Sequence, residues 1–284
     1  MLPSGSGLPG VVRLQGSASL ALEVAARSFV SGRVLVIDTG YYCQRLVGYC
    51  QTLQELQRVE ELDIIGVQTF LETPLEDLPV TQAYDWVLSV YTETSAALLN
   101  DVPKLARLKK KLGAKLFLDA TASIGLEEQH YLADLIAFSS CKGLGGMTGG
   151  AFICHQDDLT EQPESSFYLN VRSHIEKKMT GPYHPMAALD RLLPLQDEIR
   201  ARVRRSKTAF MARFAARLVL PAERQPLIAS RIYGTLGPAT GDKKIIFYQP
   251  RSVQAGQSLV CHLGELHLPS EQASEIPPYL RLET

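Results

Sequence analysis

What the chain has little of narrows its role before any motif is considered. No apolar run approaches the ~20 residues of a membrane-spanning helix, so no membrane partner is expected. The opening MLPSGSGLPG lacks the basic-then-apolar layout of a signal peptide. Cysteine is sparse and scattered: Cys43, Cys50, Cys141, Cys154 and Cys261 form no CxxC pair, which argues against a disulfide framework or zinc site and fits a reducing cytoplasm. The six histidines are equally dispersed and read as packing or surface residues, so no metal is expected. Neither sign of charge is in excess: 29 Lys and Arg stand against 30 Asp and Glu. That balance removes the electrostatic reason to expect nucleic acid or an anionic lipid surface as partner.

What is present is a series of short apolar, β-branched runs at 33–38, 62–68, 85–91, 114–120, 133–140 and 149–155. They are near-continuous rather than alternating, the pattern of strands buried on both faces. Helical stretches lie between several of them: SLALEVAARSFVS after a Gly-Ser turn, and SAALLNDVPKLARLKKKLG before a Gly stop. Strand and helix in alternation predict an α/β, three-layer fold with a mainly parallel sheet. After about residue 155 the character changes. HQDDLTEQPESS reads as a polar loop, residues 186–218 as helix interrupted at Pro194, and KKIIFYQ as a strand, with turns around Gly256 and Gly264. The expected division is a large domain over 1–185 and a connecting helix with a small α+β domain over 186–284. No internal repeat is evident.

Four local features carry candidate chemistry. In QGSASLALE, an apolar strand runs through Gly16, Ser17, Ala18 and Ser19 into a helix; free amides at a helix start suit an anion, although a serine there also serves as a plain N-cap. In LFLDATAS, Asp119 ends an apolar strand, where α/β sheets place ligands, although Asp with Thr121 and Ser123 also suits a turn. In AFSSCKGLGGMTGGAFI, Lys142 follows a strand and precedes five glycines. Because the lysine comes first, this is not a Walker A loop. A lysine desolvated there becomes a nucleophilic amine, whereas one on a glycine hairpin surface does nothing. In GYYCQR, two tyrosines at a strand end could stack on a flat ring or simply fill the core rim.

Taken in order, these segments resemble the class V aminotransferases of pyridoxal 5′-phosphate fold type I, in the branch that holds 2-aminoethylphosphonate–pyruvate and alanine–glyoxylate aminotransferases. The resemblance runs from about Val11 to Ile153, and more faintly to about Leu266. It implies that Ser17, Ala18 and Ser19 hold the cofactor phosphate, in place of the family's Gly-Ser-Gly-Thr cup. TGYYCQR matches the segment with an aromatic over the pyridine ring, which makes that residue Tyr42. YTETSAALLN places Thr94 or Ser95 near the ring hydroxyl. LDATASIG makes Asp119 the partner of the pyridine nitrogen, with Thr121 on the opposite ring face. SSCKG makes Lys142 the Schiff-base lysine and Ser140 a further phosphate contact. MTGPYHP places Thr180 toward the phosphate of a neighbouring subunit, which implies a homodimer.

The implied reaction is an amino-group transfer from a small amine or amino acid to a 2-oxo acid or aldehyde. In it Asp119 keeps the ring nitrogen protonated and Lys142 acts as acid–base. Departures keep two alternatives open: a lyase or decarboxylase on the same cofactor, with a desulfurase the weakest form, and a shortened non-catalytic relative that binds a ligand or partner. Fifteen residues precede Gly16, where the family has a much longer arm. Tyr91 replaces a histidine, and Ala18 the third glycine of the cup. Leu259 stands where the family's carboxylate-binding arginine belongs, and Arg251 or Arg281 are possible substitutes.

Overall fold

Glycine, proline and charged residues punctuate the chain into short elements, and the apolar runs between them assemble into one sheet. The computed structural model describes residues 7–80, 82–238, 254–263 and 280–282. Strand β1 (Gly10–Gln15) leads into α1 (Ala18–Phe29), followed by β2 (Gly32–Asp38), α2 (Cys43–Glu55), β3 (Val59–Gly66), α3 (Val67–Glu72) and β4 (Trp86–Val90). A small hairpin, β5 (Thr92–Glu93) and β6 (Leu98–Leu99), precedes α4 (Val102–Leu112), β7 (Lys115–Asp119), β8 (Leu135–Ser139) and β9 (Gly150–His155). Seven strands form one sheet in the order β1-β9-β8-β7-β4-β2-β3. Only β9 breaks the parallel run, pairing antiparallel with β1 and β8.

The near-continuous apolar runs are explained by two buried faces. Val34, Val36, Leu88 and Phe117 point into the layer under α1 and α2, while Leu35, Ile37, Val87 and Leu116 point into the layer that α4 covers. Each such side chain contributes roughly 1.5–3 kcal/mol on burial. The two edge strands, β3 and β1, are the open ones, with Ile64 48% and Val11 37% exposed. The parallel strands end on one side of the sheet, and Asp38, Asp119 and Ser139 stand there together.

The helix expected from Ser95 starts later. Residues 95–100 are a turn and hairpin, and α4 begins only where the Asp101 carboxylate accepts the Lys104 amide at 2.9 Å as an N-cap. It stops at Gly113, whose φ of 69° is left-handed. The strand expected at 62–68 lies earlier, and its last residues open α3.

Past β9, the expected polar loop is irregular and leads to α5 (Val171–Ile175). The helix expected over 186–218 is α6 (Tyr183–Leu192), a tight 3₁₀ turn at Leu193–Leu195 that holds Pro194, and α7 (Gln196–Arg213). Strands β10 (Ala229–Tyr233), β11 (Leu236–Pro238), β12 (Gln257–Cys261) and β13 (Leu280–Leu282) pair antiparallel as β10–β12 and β11–β13. KKIIFYQ, Gly264 and Arg251 lie outside the described residues. Among the described residues no helix is long and apolar enough to cross a membrane.

Candidate active site

The start of α1 is an open anion cradle. Ser17 is its N-cap residue in extended conformation, yet its side chain caps nothing, and the Ala18 and Ser19 amides precede the first carbonyl acceptor, Ser17 O, which takes Leu20 N and Ala21 N. The cradle is pinned beneath the glycine segment by the Gly16 amide, which donates to Gly149 O at 2.9 Å. A cation stands beside it: Arg45 on α2 donates to Ser19 Oγ at 2.7 Å. The Tyr49 hydroxyl donates to Ser19 O at 3.0 Å. Burial pushes that phenol up to about 12, and the charge of Asp119 adds to the rise against the pull of Arg45. Cradle and carboxylate are therefore within electrostatic reach of each other.

Tyr42 sits at the N-cap of α2, half-buried, with the Lys142 amine 5.3 Å from its ring centroid and the Arg45 guanidinium 5.7 Å from it. Its backbone is set by Glu93. This carboxylate is fully buried, accepts Tyr42 N at 3.0 Å, Cys43 N and Thr39 Oγ1 at 3.3 Å on one oxygen, and Ser95 N at 3.1 Å and Ser95 Oγ at 2.5 Å on the other. Burial pushes the Glu93 carboxyl above its usual range against the pull of those donors. Thr94 is half-buried in the same turn.

Asp119 ends β7 and is 6% exposed. Its Oδ1 accepts the Thr121 amide at 2.8 Å, and Oδ2 has no partner among the described residues. The Thr121 hydroxyl is buried and unpartnered. On the neighbouring strand, Lys142 follows β8; it is half-buried, and among the described residues its amine makes neither hydrogen bond nor ion pair. The Lys142 carbonyl accepts Gly145 N at 2.8 Å, closing the turn.

The structure thus brings together Ser17, Ala18, Ser19, Tyr42, Asp119, Thr121 and Lys142. Ser140 is fully buried, and its hydroxyl turns to the carbonyls of Met147 and Gly150. Thr180 lines a separate cavity of about 550 Å³ with Val12, Arg13 and Tyr183 near the β1 edge, not shared with Lys142. Arg45 and Glu93 stand inside segments that the sequence singled out, but their roles depend on contacts across 26 and 51 residues. The composition of the site fits pyridoxal phosphate: amides and a guanidinium for the phosphate, an aromatic and an orphaned buried hydroxyl for the ring, a carboxylate for a ring nitrogen, and an unpaired amine for the aldehyde carbon.

No family profile matches the chain. Individual proteins do. The 2-aminoethylphosphonate–pyruvate transaminase of Pseudomonas aeruginosa strain UCBPP-PA14 is 30% identical over 254 residues, 80% of this chain and 67% of the relative. This chain therefore spans about two thirds of that relative's length. Among solved structures, the subgroup IV aspartate aminotransferase of Thermus thermophilus superimposes with a TM-score of 0.72 at 20% identity, over 97% of this chain and 84% of the other. Alanine–glyoxylate aminotransferase from Nostoc sp. does so with a TM-score of 0.70 at 17% identity, over 95% and 80%. These two share the fold, which is fold type I of the pyridoxal-phosphate enzymes. The chain belongs to the class V aminotransferases, in the family of 2-aminoethylphosphonate–pyruvate transaminase, and its cofactor is pyridoxal phosphate.

Proposed function

We propose that this site moves an amino group from a small primary amine with an anionic end, of the 2-aminoethylphosphonate kind, to a 2-oxo acid such as pyruvate. One observation carries the assignment of residues: the Lys142 amine stands 5.3 Å from the Tyr42 ring, which Arg45 links to the anion cradle, and a buried carboxylate ends the neighbouring strand. Bound pyridoxal phosphate supplies the electron-accepting ring that lets a Cα proton leave. Ser17, Ala18 and Ser19 offer amides and hydroxyls to the phosphate, with Arg45 beside them. Asp119 keeps Oδ2 for a protonated ring nitrogen, while the Thr121 amide holds Oδ1 in place. Lys142 takes up and returns the proton, a contribution of ~10²–10⁴-fold for a well-placed acid–base. Thr94 stands as a further contact within this reading, and Ser140 becomes one only on giving up its bonds to the Met147 and Gly150 carbonyls.

Leu259 does not bind an acid group. It is 3% exposed and packs in one apolar cluster with Ala97, Ala122 and Val203. Directly across from it in the β10–β12 register, hence on the same sheet face, is Arg231. Its guanidinium donates to Gln257 Oε1 at 2.7 Å, and burial lowers its pKa. Arg231 is the candidate for the substrate's anionic group. We further read the active form as a cytoplasmic homodimer built from domains 1–185 and 186–284. Support comes from five unbonded cysteines and from Thr180, which one chain alone leaves outside the cleft.

The test is turnover of the reconstituted protein with 2-aminoethylphosphonate and pyruvate. Alanine formation that requires both substrates is expected. Consumption of amine without any oxo acid would show lyase chemistry instead.

A further inference from the structure

Beyond the groups that face the cofactor, we propose that Gln196 is a positioning residue that locks the loop after Asp119 to the loop after Lys142. The proposal rests on the assignment of those two side chains. Gln196 opens α7, and its side-chain amide donates to Gly125 O at 3.0 Å and to Gly143 O at 2.8 Å. Gly125 lies on the loop that leaves Asp119, and Gly143 is the residue after Lys142. Both acceptors are carbonyls, so only the NH₂ end can satisfy them, which fixes the orientation of the amide. The opposite end, Oε1, is buried without a partner among the described residues, where the side chain bonds only the two loops.

The loops need a clamp from outside because they meet as bare backbone. A Cβ on Gly143 would fall 2.1 Å from Ile124 O, and one on Gly125 would fall 2.9 Å from Gly143 O. Gly125 also has a φ of +80°, which excludes most other residues. Apart from the Leu126 side chain against Gly143, backbone meets backbone here, and α7 supplies the hydrogen-bond donors. The same helix grips the first loop again through Arg200, which pairs with Glu128 at 2.5 Å. One turn on, Val203 joins the cluster that contains Ala122 and Leu259. The connecting helix is thus in contact with the backbone that carries both catalytic side chains. Its position sets the separation between the carboxylate and the amine.

The experiment is hydrogen exchange of the full chain, with and without pyridoxal phosphate, for wild type and Gln196→Met, which keeps the length but loses both donors. Amides of 120–128 and 140–146 should exchange faster together, by about tenfold, while β7, β8 and α1 are unchanged. With the cofactor bound, kcat should fall at constant KM, and cofactor release should quicken. Gln196→Glu should behave like Gln196→Met, since a carboxylate cannot donate. Faster exchange in only one loop, or across the whole sheet, would overturn the proposal. So would a normal kcat and cofactor release rate in Gln196→Met. Should the cofactor prove to sit on another lysine, the paired change in exchange would still appear without cofactor, which separates the two failures.

Discussion

At the scale of single residues, the two groups assigned to catalysis are held by opposite means. Asp119 is buried and tied on one oxygen, whereas the Lys142 amine lies over a ring and has no other partner among the described residues. The Thr121 hydroxyl is buried with no partner among the described residues, a feature that costs stability until a ligand covers it. Thr121→Val should therefore leave the cofactor-free chain as stable as wild type or up to ~1 kcal/mol more stable, and should weaken cofactor binding. Thermal melts with and without pyridoxal phosphate check this, and a clear loss of stability without cofactor would contradict it. His130 makes a second prediction. It is 1% exposed, shares a 2.9 Å hydrogen bond with Ser123 Oγ, and burial, aided by the Arg200 charge, pulls its pKa from 6.5 to about 4. The unfolded chain binds this proton near 6.5 and the fold refuses it until about 4. The stability is therefore complete above 6.5 and is lost as pH falls through that window, by about 3 kcal/mol at 1.36 kcal/mol per unit. Urea midpoints at pH 7 and pH 5 should show a smaller drop for His130→Gln than for wild type.

At the scale of elements, the buried runs of β2, β4, β7 and β8 were legible because a strand covered on both faces needs apolar residues throughout. The onset of α4 was not. Its apolar spacing continues back to Ser95, but Glu93 draws the Ser95 amide and hydroxyl into a turn, and Asp101 caps the helix instead. The order of the cup, Tyr42, Asp119 and Lys142 along the chain was legible in the same sense. Glu93 and Gln196 were not, since each acts through hydrogen bonds to backbone far along the sequence. Glu93 joins the start of α2 to the turn that holds Thr94. Glu93→Gln offers one acceptor oxygen where five donors converge, so it should cost about 1–3 kcal/mol for the donors left unpaired. It should also loosen Tyr42, which intrinsic cofactor fluorescence and chemical denaturation would report. Unchanged stability with unchanged cofactor affinity would remove Glu93 from the account.

At the scale of the whole molecule, the C-terminal elements meet the turns at the strand ends of the sheet through Val203 and Leu259, which pack on Ala97 and Ala122. Leu259 and Arg231 show how these elements differ from the expectation: the position matched to the family's arginine is core, and a cation stands across from it on the neighbouring strand. Only the cross-strand register discloses that pairing, which explains why residues compared along one chain missed it. Arg231→Lys keeps the charge but loses the planar fork, so it should raise KM for the oxo acid about tenfold with little change in kcat. Steady-state kinetics with varied pyruvate would measure this, and an unaltered KM would exclude Arg231 from substrate binding. The central claim is that Lys142 alone among the lysines carries the cofactor, and not Lys104 or Lys207, the two whose pKa burial lowers. Borohydride reduction of the pyridoxal-phosphate-loaded protein, followed by peptide mass spectrometry, tests it directly. The account predicts a single pyridoxyl group on Lys142 and none in Lys142→Ala. A label on Lys104 or Lys207, or a Lys142→Ala protein that still takes up one pyridoxyl group, would contradict it.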